Sequence, residues 1–518
     1  MHSEWASEYD VIVVGAGSAG CVVAGRLSAD PELSVLLVEA GPPDTRAEIR
    51  LPAAYTTHAT SEIDWDYTSL PEQRCNGRRM RLPRGKTLGG SSSINGMIYI
   101  RGAAADYDAW NIPGWGWDTL LPEFIGAENN ERGASPFHGD AGPLHVSNDR
   151  SRNVMMRAFV DAAVSAGLPR NDDFNGPSQL GAGAFQLTQR DGQRWSAADA
   201  YLHPWTDRRN LTILTDAVVQ RVEFHATTAI GVTFVHFGAR AMVRARREVV
   251  LSAGAYASPQ LLQLSGVGPA DHLDDHGIDV VIANQEVGAN LSDHPAVPLS
   301  WRSAIGGSLN LLDPAAIEEY DAHRSGPLAS NRAEAAAFAR VGDTGALADV
   351  QIHGIPLPEI DEGGGEVHGD GIWLAPCVLQ PRARGAVRLA GADPTKKPLI
   401  RCDYWRDAED RRIIRDGIRL TMDIASQDEL ADFCTHPLQV PGDRSDSTLD
   451  AFAARHTMSF YHASGTVALG RVVDPQLRVL GAERLRVVDA SVLPVVPRGN
   501  PHAVVVAVAE RAAKLIQG

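Results

Sequence analysis

The chain is poor in cysteine, in cationic charge and in long apolar runs, and each shortage excludes a class of protein. Five cysteines in 518 residues (Cys21, Cys75, Cys377, Cys402, Cys434) are scattered, odd in number and free of any CxxC spacing. They predict reduced thiols used for packing, no disulfide framework, no zinc site and a cytoplasmic location. None of the 17 histidines stands in an HExxH or comparable ligand cluster, so no metal is expected. Lys and Arg number 48 against 64 Asp and Glu, a formal charge of -16, which disfavours nucleic acid or an anionic membrane as a partner. No stretch approaches the ~18 to 20 apolar residues of a membrane span. The acidic start Met1–Glu8 has no apolar core, so no signal peptide is expected. Repeats and low-complexity segments are also missing. What remains, with 44% hydrophobic and 22% charged residues, is a soluble globular protein too long for one core.

The most informative stretch lies near the N-terminus. Val11-Ile12-Val13-Val14 reads as a buried parallel strand, and it runs straight into Gly15-x-Gly17-x-x-Gly20. In such a turn the first glycine permits the reversal, the second admits a pyrophosphate to the backbone, and the third lets helix and strand pack closely. The helix beginning there aims its free N–H groups at the phosphates. A second apolar run, Val35–Val38, ends in Glu39, with eighteen residues between that carboxylate and Gly20. This spacing suits a βαβ unit whose acid meets a ribose 2′-hydroxyl, and it favours FAD or NAD over NADP. The expected contacts are Gly15, Gly17, Ser18, Ala19 and Gly20 in the turn, then Glu39 and Ala40.

Further on, Arg84–Gly96 is dense in glycine and small hydroxyls, a loop that can lie against a flat or charged ligand. Apolar Met97–Ile100 follows and argues that the loop feeds a buried segment. Leu211–Leu214, Ala217–Val219 and Val232–Val235 predict a β-meander inserted into the nucleotide domain, and Glu248–Gly254 another buried strand. Ser258-Pro259 reads as a helix start with proline in the first turn, ending at Ser265-Gly266. Residues 298–454 differ in composition: acidic, glycine-rich Asp361–Gly365 interrupts strand-like Ile372–Ala375 and Ala386–Leu389, which predicts an antiparallel sheet. Asp407–Ser426 has helical periodicity. Leu485–Ser491 is a strand ending in an acid, and Asn500-Pro501 opens a buried helix whose N-terminus can stabilise negative charge.

Together these segments resemble the glucose–methanol–choline (GMC) oxidoreductases, FAD enzymes that oxidise alcohols, over nearly the whole chain. Gly85-Lys86-x-Leu88-Gly89-Gly90-Ser91-Ser92-x-Ile94-Asn95 fits the family's first signature, and Gly254–Gly268 fits the second. Tyr461–Thr466, Val488–Ser491 and Asn500–Ala503 look like its catalytic and flavin-contacting segments. The resemblance implies an α/β fold (α+β overall). A Rossmann-like FAD-binding domain would be built from residues 1–155, 190–297 and 455–518. An antiparallel-sheet substrate domain would be built from 156–189 and 298–454.

By the same resemblance His462 is the catalytic histidine and His502 its partner, a position filled by Asn or His in the family. A His–His pair can share a proton, and His462 is favoured as the base. Leu88, Gly89, Gly90, Ser91, Asn95 and Gly96 would line the flavin, with Val219 at the adenine. Ala253, Gly254, Tyr461, Asp489, Ala490 and Ala503 complete the implied cofactor contacts. Members that attach FAD covalently use a histidine where this chain has Ile94, so noncovalent FAD is implied. The expected reaction is removal of a hydroxyl proton by the histidine and hydride transfer to flavin N5, with oxygen, a quinone or a protein carrier as acceptor. A flavin-containing lyase on the same fold, of the hydroxynitrile lyase or photodecarboxylase kind, is the alternative. Trp301, Asn310, His353, Trp373 and Phe460 are the candidate substrate-pocket residues.

Overall fold

The computed structural model describes residues 5–342, 345–358 and 369–518; the acidic segment Asp361–Gly365 lies outside them. Four runs of β-branched and leucine residues form the heart of a seven-stranded sheet. Its parallel part runs in the order Leu211–Leu214, Val35–Val38, Glu8–Val14, Ala239–Leu251, Leu485–Val487. Helices cover it, so the strands read as continuous apolar runs rather than alternating ones. The helix Ser18–Leu27 packs against the C-terminal helix His502–Gln517, both almost wholly buried over their first two turns. A Cβ on Gly20 would lie 1.8 Å from the Gly15 carbonyl oxygen, which is why this position admits no side chain.

Two expectations need correction here. Leu211–Leu214 is not part of a meander; it extends the parallel edge beside Val35–Val38. The meander consists of Ala217–His225, Thr228–His236 and Ala239–Leu251, and the last of these is one long strand. Its first half pairs antiparallel with Thr228–His236, and its end runs parallel to Glu8–Val14. Separately, the helix expected from Ser258 begins at Gly254 and runs to Leu264, with Pro259 inside it. Proline has no N–H for the Ala255 carbonyl, and the Thr466 hydroxyl takes that place at 2.7 Å.

The second sheet has eight antiparallel strands. Its strands alternate by residue, as a sheet with two different faces must. Ile352, Ile372 and Leu374 face the amphipathic helix Ala408–Ala425, through Ile414 and Ile418. The opposite face carries Phe338, Ile355, Trp373 and Ala375. The short strand Pro295–Ala296 pairs antiparallel with Met458–Ser459 at the edge of this sheet and brings residues 292–294 against 460–464. All five cysteines are free, four of them buried. Among the described residues, no helix is long and apolar enough to cross a membrane.

Candidate active site

A cavity of about 640 Å³ runs between the two sheets. At one end it is walled by Gly15, Gly17, Ser18 and Ala19 of the first turn and by Glu39, Ala40 and Val219. No side chain caps the helix Ser18–Leu27, so its first-turn amides remain donors for a phosphate. The Glu39 carboxylate accepts from the amides of Ala16 at 2.8 Å and Gly41 at 3.0 Å. Burial raises its carboxyl to about 7.

The middle of the cavity is lined by Gly90, Ser91, Asn95 and Gly96 on one side. Ala253, Gly254, Asp489 and Ala490 face them. Gly90 has φ +53, and a Cβ there would come within 2.6 Å of the Gly17 Cα, so the loop lies directly on the first turn. Asp489 binds three donors: Gly254 N at 2.9 Å, Ser258 Oγ at 2.6 Å and Ser491 N at 2.8 Å. Burial pushes its carboxyl up, and those donors oppose the shift. Gly20, Leu88, Gly89 and Ala503 stand behind the wall rather than in it. Arg194, which the sequence reading missed, is wholly buried and braces the loop. Its guanidinium donates to the carbonyls of Ile49 and Ser92 and to Asn95 Oδ1 at 2.9, 3.0 and 2.8 Å.

The other end holds His462. The antiparallel approach of residues 292–294 to 460–464 places it against His294, with their Nδ1 atoms 2.8 Å apart. Asp293 ties the turn together, its Oδ1 accepting from the amides of His294 at 2.9 Å and His462 at 2.7 Å. Its Oδ2 accepts from Tyr404 and Ser459 hydroxyls. His294 Nε2 lies 2.8 Å from the Leu379 carbonyl oxygen. A carbonyl only accepts, so this Nε2 carries the hydrogen. Burial lowers the pKa of His294 to about 4, so it is neutral at pH 7 and its Nδ1 is a lone pair. His462 must therefore donate from Nδ1, which leaves its own Nε2 as a lone pair. Asn500 Nδ2 lies 3.1 Å from that atom, as its donor. Burial holds the pKa of His462 well below the ordinary imidazole range, helped by His294, His353 and Arg84.

The structure does not join His462 to His502. The partner is Asn500, two residues earlier. His502 turns the other way, its Nδ1 3.1 Å from Ser18 Oγ and its Nε2 buried and without a protein partner. The helix starts at His502, with Pro501 rather than Asn500 at the cap, so Asn500 is free to serve the cavity. The sequence holds a signal for this, since a side chain just before the first helical turn points out of it, but the histidine was the more conspicuous residue. His353, Trp373 and Phe460 line the cavity as expected; Trp301 and Asn310 do not. Outside it, Asp44, Asp199 and His203 gather their ligand atoms within 4.8 Å. Hydrogen bonds to both aspartates raise His203 to about 9, and Arg50 pairs with the same carboxylates. That makes a charge network, with two cations where a metal would sit.

The residues present fit a flavin dinucleotide. They supply uncapped helix amides for a pyrophosphate, a buried carboxylate for a ribose, an orphaned His502 Nε2 and a glycine loop without side chains. Comparison with known proteins agrees. The chain matches the GMC oxidoreductase family over residues 9–296 and again over 381–509. It is 40% identical to an alcohol dehydrogenase [acceptor] of Pseudomonas putida, over 98% of this chain and 95% of that one. It is 37% identical to an oxygen-dependent choline dehydrogenase of Brucella ovis, over 99% and 96%. Among solved structures, pyridoxine 4-oxidase from Mesorbium loti superposes with a TM-score of 0.91 at 33% identity, over 98% and 99% of the two chains. With the family matched over most of the chain and a relative 40% identical along almost its whole length, the chain belongs to the GMC oxidoreductases.

Proposed function

We propose that the protein oxidises an alcohol to an aldehyde or ketone, with His462 as the base and FAD held without a covalent bond. The observation that carries this is the lone pair of His462 Nε2, fixed toward the cavity by the Leu379–His294–His462 chain. With its pKa lowered, His462 is neutral at pH 7 and able to take a hydroxyl proton. Asn500 Nδ2, which donates to that lone pair in the resting enzyme, yields it to the substrate hydroxyl and donates to the substrate oxygen instead, so that the carbinol C–H is oriented. Once Nε2 is protonated, His462 keeps donating from Nδ1 to His294, and that bond becomes charge-assisted. FAD, when bound, supplies the hydride acceptor.

His502 serves the cofactor rather than the alcohol, through its orphaned Nε2, while its Nδ1 is held at Ser18 Oγ. The N-terminus of its helix favours negative charge at the same place. Ile94 lines the cavity where covalent members have a histidine, which supports noncovalent binding. Acid denaturation should then release all yellow colour into the supernatant.

The test of function is anaerobic addition of alcohols to the purified yellow protein. Bleaching supports alcohol oxidation, and rapid recovery on admitting oxygen identifies an oxidase. Slow recovery identifies a dehydrogenase that uses a quinone or a protein carrier. A flavin left oxidised by every alcohol would refute this reading in favour of a lyase.

A further inference from the structure

We infer that the alcohol is uncharged and carries an alkyl or aryl body, and that a quaternary-ammonium alcohol is rejected. This rests on the alcohol oxidation proposed above and concerns the chamber beside His462. The register of the second sheet builds that chamber. Ile355 pairs with Trp373 across neighbouring strands, on the face turned away from the covering helix. Phe460, two residues before His462, completes the wall, with ring centroids 6.4 Å from Trp373 and 6.3 Å from His462. Ile98 and Ala333 join the same apolar cluster and the same cavity. A substrate whose hydroxyl reaches His462 Nε2 must lay its body against these side chains.

Charge points the same way. Among the described residues lining the cavity, the carboxylates are Glu39 and Asp489. Both belong to the cofactor end and are occupied by the N–H and O–H donors named above. No described carboxylate faces the chamber, so a quaternary ammonium would be desolvated there without a counter-charge. Cation–π attraction to the faces of Trp373 and Phe460 is weaker than the cost of burying that unpaired charge. The charged side chains lining the cavity elsewhere are Arg81 and Arg84. The field of Arg84 already disfavours a proton on His462, and it opposes a cationic substrate in the same sense. His353 is the polar exception in the wall. It lies 4.6 Å from Phe460 between ring centroids, and its Nε2 is buried and without a partner. Burial lowers its pKa to about 3, so it offers a neutral hydrogen-bonding position and no charge.

The experiment is anaerobic stopped-flow reduction of the holoenzyme, which separates the substrate Kd from the reduction rate. Choline is compared with its neutral isostere 3,3-dimethylbutan-1-ol, in which carbon replaces the charged nitrogen, and with 1-hexanol and benzyl alcohol. The ratio of rate to Kd for the best uncharged alcohol should exceed that for choline by about 100-fold, mostly through Kd, as burial of an unpaired charge requires. A ratio under about tenfold, or preference for choline, overturns the inference and leaves alcohol oxidation standing. Reduction by none of the four also overturns the inference, and alcohol oxidation is then decided by the wider panel of alcohols above, where a flavin left oxidised by every one refutes it.

Discussion

His294 touches no substrate in the arrangement described, yet the direction of the His462 lone pair depends on it. The two ends of its ring do separate work. Nδ1 accepts from His462 and fixes the tautomer; Nε2 donates to the Leu379 carbonyl and anchors the ring. Two amide replacements divide these tasks, because asparagine reaches the Nδ1 position and glutamine the Nε2 position. His294→Asn keeps an acceptor for His462 and strands the Leu379 carbonyl. His294→Gln keeps the Leu379 contact and strands His462 Nδ1. The tautomer-fixing bond is neutral in the resting enzyme and charge-assisted once His462 holds the hydroxyl proton. A neutral hydrogen bond is worth about 0.5–1.5 kcal/mol and one to a charged group about 1.5–3. The difference of about 1 to 2 kcal/mol falls on kcat/KM as a loss of about 5- to 30-fold. His294→Gln should therefore lose kcat/KM by that factor, move the acid limb of its pH profile and lose about 1–3 kcal/mol of stability, the cost of the stranded His462 N–H. His294→Asn should retain most of kcat/KM and lose about 1–3 kcal/mol of stability, the cost of a buried unpaired carbonyl. Steady-state kinetics across pH, flavin content and thermal unfolding on the three proteins decide the matter. If kcat/KM and its pH profile change alike in both variants, His294 only fills space and the tautomer argument is wrong.

Other expectations follow from the same geometry. His462→Ala should lose about 10²- to 10⁴-fold in turnover, the usual worth of a general base, while its absorption spectrum shows a full complement of FAD; purification as apoprotein would make His462 structural. Asn500→Ala should lower kcat/KM with flavin content unchanged, whereas His502→Ala should weaken flavin retention, measured as the FAD dissociation constant. The reverse pattern would restore His502 as the partner of His462. For Glu39 the sign follows from its raised folded-state pKa: the stability it contributes is full below the ordinary 4.5 and is lost as pH rises to about 7. Stripped of flavin, wild type should therefore lose up to about 3 kcal/mol relative to Glu39→Gln between those pH values, read as diverging Tm curves; parallel curves would show that Glu39 ionises freely.

The nucleotide half of the site was legible in the sequence because its signals are local. Val11–Val14, the spaced glycines and Glu39 each report on neighbours within one βαβ unit, and the backbone conformation they require is written in the residue types themselves. The reading of the helix at Ser258-Pro259 failed for the opposite reason. A proline at a helix start and a proline inside a helix look alike until the carbonyl it leaves unpaired is traced, here to Thr466, 211 residues away in sequence. The catalytic end shows the same limit. His462 and Asn500 could be found from their own segments, but their pairing could not, since choosing between Asn500 and His502 turns on where the first helical turn begins.

His294 carried no signal of its own. It lies 168 positions from His462, and the two meet because Pro295–Ala296 pairs with Met458–Ser459 at a sheet edge, two residues of ladder that no periodicity announces. What the structure adds is the consequence for charge. Two neutral imidazoles in contact and a third at His353 stand among apolar walls, with Arg84 the charge on the cavity side and Asp293 held behind the pair by N–H and O–H donors, so the resting site carries no extra proton. The surroundings that keep His462 unprotonated in the resting enzyme also leave a cationic substrate without a partner, so an open lone pair at Nε2 and selectivity for uncharged alcohols are two results of one arrangement.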